Sequence, residues 1–130
     1  MRVLLVESQA HVCAALRFLL SRQSDIQCVG SIGAEPEMAA KLALIDADII
    51  VLDWELPHHR ATHLLTLIRR LPDQPRTVVL GSRLHSEQAA LAAGADAFLS
   101  KNTSPDAVLS MLRFVSVERR PPGELDMPSV

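Results

Sequence analysis

The fold is decided by one stretch, Ile49-Ile50-Val51-Leu52-Asp53, which is followed directly by Trp54-Glu55-Leu56-Pro57. Four consecutive large aliphatic residues predict a strand that is buried on both faces, as in a parallel sheet. The carboxylate of Asp53 comes where this strand ends, before Pro57 breaks the chain. Because open α/β sheets bind their ligands outside the carboxyl ends of the strands, the stretch predicts a functional aspartate at that edge.

Strand and helix patterns alternate regularly on both sides of this stretch. Strands are predicted at residues 3–6, 26–31, 49–53, 77–80 and 97–100, and helices at about 9–22, 35–46, 60–71, 86–93 and 104–117. Five such repeats with short connections predict an α/β fold, with a doubly wound five-stranded parallel sheet in the order 2-1-3-4-5 and helices on both faces. We expect one domain over residues 1–118. Residues 119–130, with three prolines, are expected to form a flexible tail or the start of a linker.

Composition narrows the possible classes of function. The 130 residues carry a net charge of −2, and Lys41 and Lys101 are the only lysines. Without a basic cluster, direct nucleic-acid binding is not expected. No apolar run approaches the ~20 residues that a membrane span needs, and no secretory signal is visible. Cys13 and Cys28 lack metal-ligand spacing and are expected to be buried thiols, so we expect a cytoplasmic protein.

Polar side chains follow the other central strands at the same predicted edge. Glu7 and Ser8 follow the first strand, Ser82 the fourth and Lys101 the fifth, and all of them are expected to lie near Asp53. Carboxylates bind Mg²⁺ through hard oxygen ligands, and a lysine with a hydroxyl can hold the oxygens of a transferring phosphoryl group. An aspartate beside such groups can act as a nucleophile and form an acyl phosphate.

Three pieces of sequence carry a family resemblance through their order and spacing. They are Val3-Leu4-Leu5-Val6-Glu7, then Ile49-Ile50-Val51-Leu52-Asp53 with Leu56-Pro57, and last Ala93-Gly94-Ala95-Asp96-Ala97-Phe98-Leu99-Ser100-Lys101. With them the chain resembles the receiver domain of two-component response regulators, such as chemotaxis regulators, over about residues 2–118. The resemblance implies a flavodoxin-like fold and a phosphoprotein that assists its own phosphorylation and dephosphorylation without being an enzyme for an external substrate.

The resemblance implies a role for each residue around the phosphoryl group. Asp53 is the phospho-acceptor, and Lys101 and Ser82 contact the phosphoryl group. Phe98 matches an aromatic that changes rotamer when the hydroxyl after strand 4 moves towards the phosphoryl group, which reshapes a protein-interaction face. The loop after strand 4 is two or three residues shorter than in the family, so either Ser82 or Gly81 holds this switch position.

The resemblance also implies a Mg²⁺ ion that is held by Asp53, Glu7 and the backbone carbonyl of Glu55. Ser8 stands where the family usually has a second acid, and a hydroxyl there would bind the metal weakly or through water. Because one negative charge is missing, we expect Mg²⁺ to bind more weakly than in a typical receiver.

The implied partners are proteins. A sensor histidine kinase or a phosphotransfer protein would donate the phosphoryl group, and the output would be a downstream protein or an output domain outside these 130 residues. A homodimer through the last helix–strand face is a further implication.

Two alternatives to this interpretation stay open. A receiver-like module could act by protein interaction without phosphorylation, which Ser8 and the short loop favour. A flavodoxin-like enzyme that binds a small molecule has less support, because the chain after the first strand lacks the glycines of a nucleotide-binding turn. His59 and His63, four residues apart on the predicted third helix and extended by His58, are expected to lie on a solvated face, since no third metal ligand accompanies them.

Overall fold

Strands and helices alternate along the part of the chain that the computed structural model describes, residues 1–33 and 37–117. The five strands are β1 (Arg2–Val6), β2 (Gln27–Ile32), β3 (Ile49–Asp53), β4 (Arg76–Gly81) and β5 (Ala97–Ser100). The five helices are α1 (Ala10–Ser21), α2 (Met38–Leu44), α3 (Arg60–Arg69), α4 (Glu87–Ala92) and α5 (Pro105–Val117). Short 3₁₀ turns at Pro57–His59 and Leu84–Ser86 precede α3 and α4.

The strands form one parallel sheet in the order β2-β1-β3-β4-β5, which confirms the predicted doubly wound, flavodoxin-like topology. The register places Val6 beside Leu52 and Asp53 beside Leu80. The carboxyl ends of β1, β3, β4 and β5 therefore lie along one edge of the sheet. This edge collects the polar residues that follow those strands.

Each face of the sheet packs against its own helices, because successive residues of a strand point to opposite faces. One face packs against α1 and α5 and buries Val3, Leu5, Val51 and Leu80. The other face packs against α2, α3 and α4 and buries Leu4, Val6, Leu52 and Val79. All five residues of β3 are buried, which confirms that the aliphatic run is a strand covered on both faces.

The predicted and observed helices differ mainly at their ends. α2 is shorter than the predicted helix at 35–46, and residues 34–36 lie outside the described part. The prediction that His59 and His63 share a helix was wrong, because α3 begins only at Arg60. His58 and His59 have φ values of 59° and 55°, so two consecutive left-handed residues turn the chain between β3 and α3.

Several smaller expectations also have an outcome. Gly94 follows α4 with a φ of 115°, as predicted for a glycine that ends a helix. Cys13 and Cys28 are free thiols that are half-buried, whereas buried thiols were predicted; both lie at the rim of the layer between the sheet and α1. The predicted tail at 119–130 lies outside the described residues. No helix within 1–33 or 37–117 is long and apolar enough to span a membrane.

The two-layer core makes a prediction for two leucines on neighbouring helices. Leu65 on α3 is fully buried, whereas Leu44 at the end of α2 is 85% exposed. We expect Leu65→Ala to lower the free energy of unfolding by about 2 to 5 kcal/mol, because it leaves a cavity in the core. Leu44→Ala, the matched control, should change it by less than about 0.5 kcal/mol. Urea unfolding followed by circular dichroism measures both, and equal effects would contradict the assigned packing.

Candidate functional site

Asp53 lies at the centre of the polar edge, where β3 ends between β1 and β4. The residue is 1% exposed, and both of its carboxylate oxygens have hydrogen-bond partners. The backbone N–H and the hydroxyl of Ser8 donate to Oδ2 at 3.2 and 2.6 Å. The backbone N–H of Glu55 donates to Oδ1 at 2.9 Å, and the ammonium of Lys101 lies 2.8 Å from the same oxygen. Residues after β1, β3 and β5 therefore converge on one carboxylate.

These contacts keep Asp53 ionised. Burial alone would raise the pKa of this carboxyl, but the hydrogen bonds from Lys101 and Ser8 outweigh burial and lower the pKa below its usual value. A buried carboxylate that stays charged at neutral pH is available as a nucleophile or as a ligand to a cation.

Lys101 is the only ammonium in this cluster and is shared among several acceptors. It follows β5, where its backbone N–H donates to the carbonyl of Gly81 at 2.8 Å. Its Nζ lies 3.3 Å from Oε2 of Glu7 and 3.5 Å from Oε1 of Glu55, besides Asp53. Burial would lower the pKa of Lys101, but the hydrogen bond and charge of Asp53 and the charge of Glu7 raise it above its usual value. Lys101 is therefore cationic throughout the physiological pH range.

Glu7 is the second buried carboxylate and is incompletely bonded. It is 4% exposed, and its Oε2 accepts from the backbone N–H of Gln9 at 3.0 Å and from Lys101. Its Oε1 has no partner, the one such buried side-chain oxygen or nitrogen among the described residues. Burial, together with the neighbouring charge of Asp53, raises the pKa of Glu7 to about 6. An unpartnered oxygen of this kind is a place for a proton or a cation.

Gly81 and Ser82, the two candidates for the switch position, have different neighbours at the end of β4. A Cβ on Gly81 would lie 2.9 Å from the Phe98 ring and 3.3 Å from Oε2 of Glu55, so Gly81 is the residue that faces Phe98. Phe98 is buried and fills this space. The hydroxyl of Ser82 donates to the Glu55 carboxylate at 2.9 Å instead of to Asp53. The role of Ser82 towards a phosphoryl group stays a prediction.

Two side chains of the cluster were missed by the sequence interpretation. The amide oxygen of Gln9 accepts from Lys101 at 3.3 Å, and the carboxylate of Glu55 bridges Lys101 and Ser82. The only signal in the sequence is position, since Gln9 and Glu55 each follow a buried acid by two residues. Within residues 1–33 and 37–117, no group of three or more His, Cys, Asp or Glu side chains could hold a metal ion. Asp53 and Glu7 are the two buried carboxylates of this cluster.

Comparison with known proteins identifies the type of domain. The family model of the response regulator receiver domain matches residues 3–113. The protein-glutamate methylesterase/protein-glutamine glutaminase 1 of Methanospirillum hungatei is 33% identical over 105 residues. That match covers 77% of this chain but 30% of the relative, so the chain spans less than a third of the length of this curated relative.

Solved structures show the same fold at lower identity. The response regulator domain of Thermotoga maritima CheB has a TM-score of 0.79 at 23% identity, and the match covers 92% of this chain and 98% of that one. The receiver domain of a sensor histidine kinase from Pseudomonas aeruginosa PAO1, with a magnesium ion coordinated in its active-site cleft, has a TM-score of 0.75 at 20% identity, covering 90% and 98%.

The buried Glu7 carboxyl predicts a pH-dependent stability. Its pKa is about 6 in the folded protein and near the ordinary 4.5 when unfolded. Its favourable contribution is therefore complete below pH 4.5 and is lost as the pH rises through 6. Glu7→Gln, which cannot ionise, should raise the free energy of unfolding by about 2 kcal/mol at pH 7.5 and change it little at pH 4.5.

Urea unfolding at both pH values, with a chelator present, measures this difference. Glu87→Gln is the matched control, because Glu87 is an exposed acid on α4. A stability gain for Glu7→Gln that is the same at both pH values would contradict the assigned pKa.

Proposed function

The chain belongs to the response regulator receiver domain family, and we propose that it is a switch in which Asp53 accepts a phosphoryl group from a histidine kinase or a phosphotransfer protein. One observation carries the proposal: the buried, ionised carboxylate of Asp53 lies 2.8 Å from the ammonium of Lys101. Phosphoryl transfer needs a positioned nucleophile and a cation that stabilises the charge on the transferring group.

The proposed step is a direct displacement at phosphorus. An oxygen of Asp53 attacks the phosphorus of the donor, and the new O–P bond forms as the bond between phosphorus and the leaving group breaks. The leaving group keeps the electron pair of that bond. Ser8 and the backbone N–H of Glu55 hold the carboxylate in one orientation, and Lys101 stabilises the negative charge of the phosphoryl oxygens.

The acidic side chains fit a Mg²⁺ ion. Asp53 and Glu7 supply hard oxygen ligands, and the unpartnered Oε1 of Glu7 is free to take one coordination position. The backbone carbonyl of Glu55 is the proposed third ligand. Mg²⁺ is commonly held by one or two carboxylates and keeps several waters, so this small set is sufficient. When bound, the ion would supply further positive charge for the phosphoryl oxygens.

Ser8 is expected to make that Mg²⁺ site weak. Its hydroxyl already donates to Asp53 at 2.6 Å, so it would contribute to the metal weakly or through water. The segment after β1 has one carboxylate fewer than the family pattern, which lowers the attraction of the site for a dication. We propose that Mg²⁺ binds and that millimolar concentrations are required.

The output of the proposed switch is protein interaction. α5 exposes Phe114 and Val117 and α4 exposes Leu91; these two helices pack on opposite faces of the sheet, of which β5 is the edge strand. Apolar side chains of this kind support the binding of a downstream protein, an output domain or a second copy. The esterase and glutaminase activities in the name of the Methanospirillum relative belong to a protein more than three times as long as the matched part.

A phosphorylation-independent interaction module is the second candidate, and Gly81 favours it. The residue that faces Phe98 has no hydroxyl, so the proposed coupling between a phosphoryl group and the aromatic ring lacks its usual donor. In that case Phe98 would stay buried whatever the state of Asp53, and the domain would bind its partner constitutively.

Phosphorylation of Asp53 is the first prediction of the proposal. Incubation with acetyl phosphate and Mg²⁺ should add one phosphoryl group, seen by intact mass spectrometry, and omission of Mg²⁺ should abolish it. Asp53→Ala should remove the adduct because it removes the nucleophile. Asp73→Ala is the matched control, since Asp73 is exposed in the loop before β4, and it should behave like the wild type. No adduct at high Mg²⁺ would refute the proposal and favour the phosphorylation-independent module.

Lys101 gives a second prediction, with a control supplied by the composition. Lys101→Met should slow phosphorylation of Asp53 by roughly 10²- to 10³-fold, because the cation that stabilises the transferring group is lost. Lys41→Met, which changes the only other lysine and lies exposed on α2, should leave the rate unchanged. The measurement is the rate at which acetyl phosphate phosphorylates Asp53 in each variant. Equal rates for the two variants would argue against the role of Lys101.

A further inference from the structure

The side chain of Glu55 is held at the mouth of the site by three donors. The backbone N–H of Ser82 lies 3.1 and 3.0 Å from its two carboxylate oxygens, and the Ser82 hydroxyl donates to Oε1 at 2.9 Å. The ammonium of Lys101 lies 3.5 Å from the same Oε1. A backbone N–H, a hydroxyl and an ammonium that converge on one point form a binding site for an anion.

This anion site adjoins Asp53. Lys101 Nζ contacts Asp53 Oδ1 at 2.8 Å and Glu55 Oε1 at 3.5 Å, so a single ammonium bridges the two carboxylates. Ser82 follows β4, and Asp53 ends β3, the neighbouring strand of the sheet. A phosphoryl group attached to Asp53 would therefore contact the ammonium of Lys101 and the N–H of Ser82. In this structure both donors contact the Glu55 carboxylate instead.

We infer that the carboxylate of Glu55 occupies the phosphoryl position of this site and has to withdraw when Asp53 is phosphorylated. The inference rests on the proposed function and adds that Glu55 limits the rate at which Asp53 is phosphorylated. Three carboxylates, of Glu7, Asp53 and Glu55, face one ammonium, so a phosphoryl dianion could not share these donors with Glu55 without strong repulsion.

Withdrawal of Glu55 is feasible because its side chain is at the surface. It is 39% exposed, whereas Lys101 and Asp53 are buried, so the carboxylate can rotate into solvent without disturbing the core. Its backbone N–H can keep its hydrogen bond to Asp53 while the side chain moves. Glu55 is therefore a competitor built into the loop after β3, and phosphorylation has to displace it.

Two substitutions separate occupancy of the site from simple charge. Glu55→Ala removes both the carboxylate and its charge. Glu55→Asp keeps the charge but shortens the side chain by one carbon–carbon bond of about 1.5 Å, so that the carboxylate no longer reaches Ser82. Glu87→Ala on α4 is the control for loss of an exposed acid. The initial rate of acetyl phosphate labelling, measured by intact mass at a fixed Mg²⁺ concentration, is compared for all four proteins.

We expect Glu55→Ala to be phosphorylated at least roughly fivefold faster than the wild type, the effect of removing one partly exposed ionic contact. Glu55→Asp should also be faster, and Glu87→Ala should equal the wild type. A non-covalent readout is the titration with beryllofluoride, an analogue of the phosphoryl group, followed by the fluorescence of Trp54, the single tryptophan and the residue after Asp53. Both Glu55 variants should reach half of the fluorescence change at a lower beryllofluoride concentration than the wild type.

Other outcomes would overturn the inference. If the wild type is labelled by acetyl phosphate and the Glu55 variants are labelled no faster, the inference is refuted while the proposed function stays intact. A faster Glu55→Ala with a Glu55→Asp equal to the wild type would show that charge alone, not occupancy, sets the rate. If no protein acquires a phosphoryl group or binds beryllofluoride in a manner that needs Asp53, the proposed function and the inference both fail.

Discussion

The buried ion pair between Asp53 and Lys101 is the contact on which the site depends. Each charge would cost several kcal/mol to bury alone, and their separation of 2.8 Å compensates for that cost. The pair spans the end of β4, because β3 and β5 are not neighbours in the sheet. The geometry of the pair therefore depends on the register of the three adjacent strands β3, β4 and β5. The two residues are far apart in the sequence, and the parallel sheet with helices on both faces brings them together.

The charge balance around this pair explains why the site is suited to binding another group. Glu7, Asp53 and Glu55 share the ammonium of Lys101. One oxygen of Glu7 has no partner, and the pKa of the Glu7 carboxyl is raised to about 6. Such an imbalance favours the uptake of a cation or a proton at the Glu7 side. At the opposite side, Lys101 and Ser82 provide donors for an anion, which Glu55 satisfies in this structure. The cluster is thus divided into a part that attracts cations and a part that binds anions.

Gly81 at the end of β4 allows an aromatic ring to lie close to the site. Gly81 leaves room for the Phe98 ring beside Glu55, and a larger side chain there would collide with it at 2.9 Å. The ring belongs to the same buried core as Val79 and Leu52. Lys101, Glu55 and Ser82 form a chain of polar contacts that leads from Asp53 to the end of β4.

The sequence by itself determined the strands, their order and the residues that follow them. Runs such as 49–53 and 97–101 are short and largely apolar and end in a polar residue, and this pattern predicts both the strand and its end. It did not show that His58 and His59 lie outside α3 as two consecutive left-handed residues, since the turn they form has no glycine to mark it. Nor did it show that Gly81 faces Phe98 or that the Glu55 carboxylate reaches Ser82. Those features arise from the direction of side chains across neighbouring strands, and only the packed sheet brings residues almost 30 positions apart within hydrogen-bond distance.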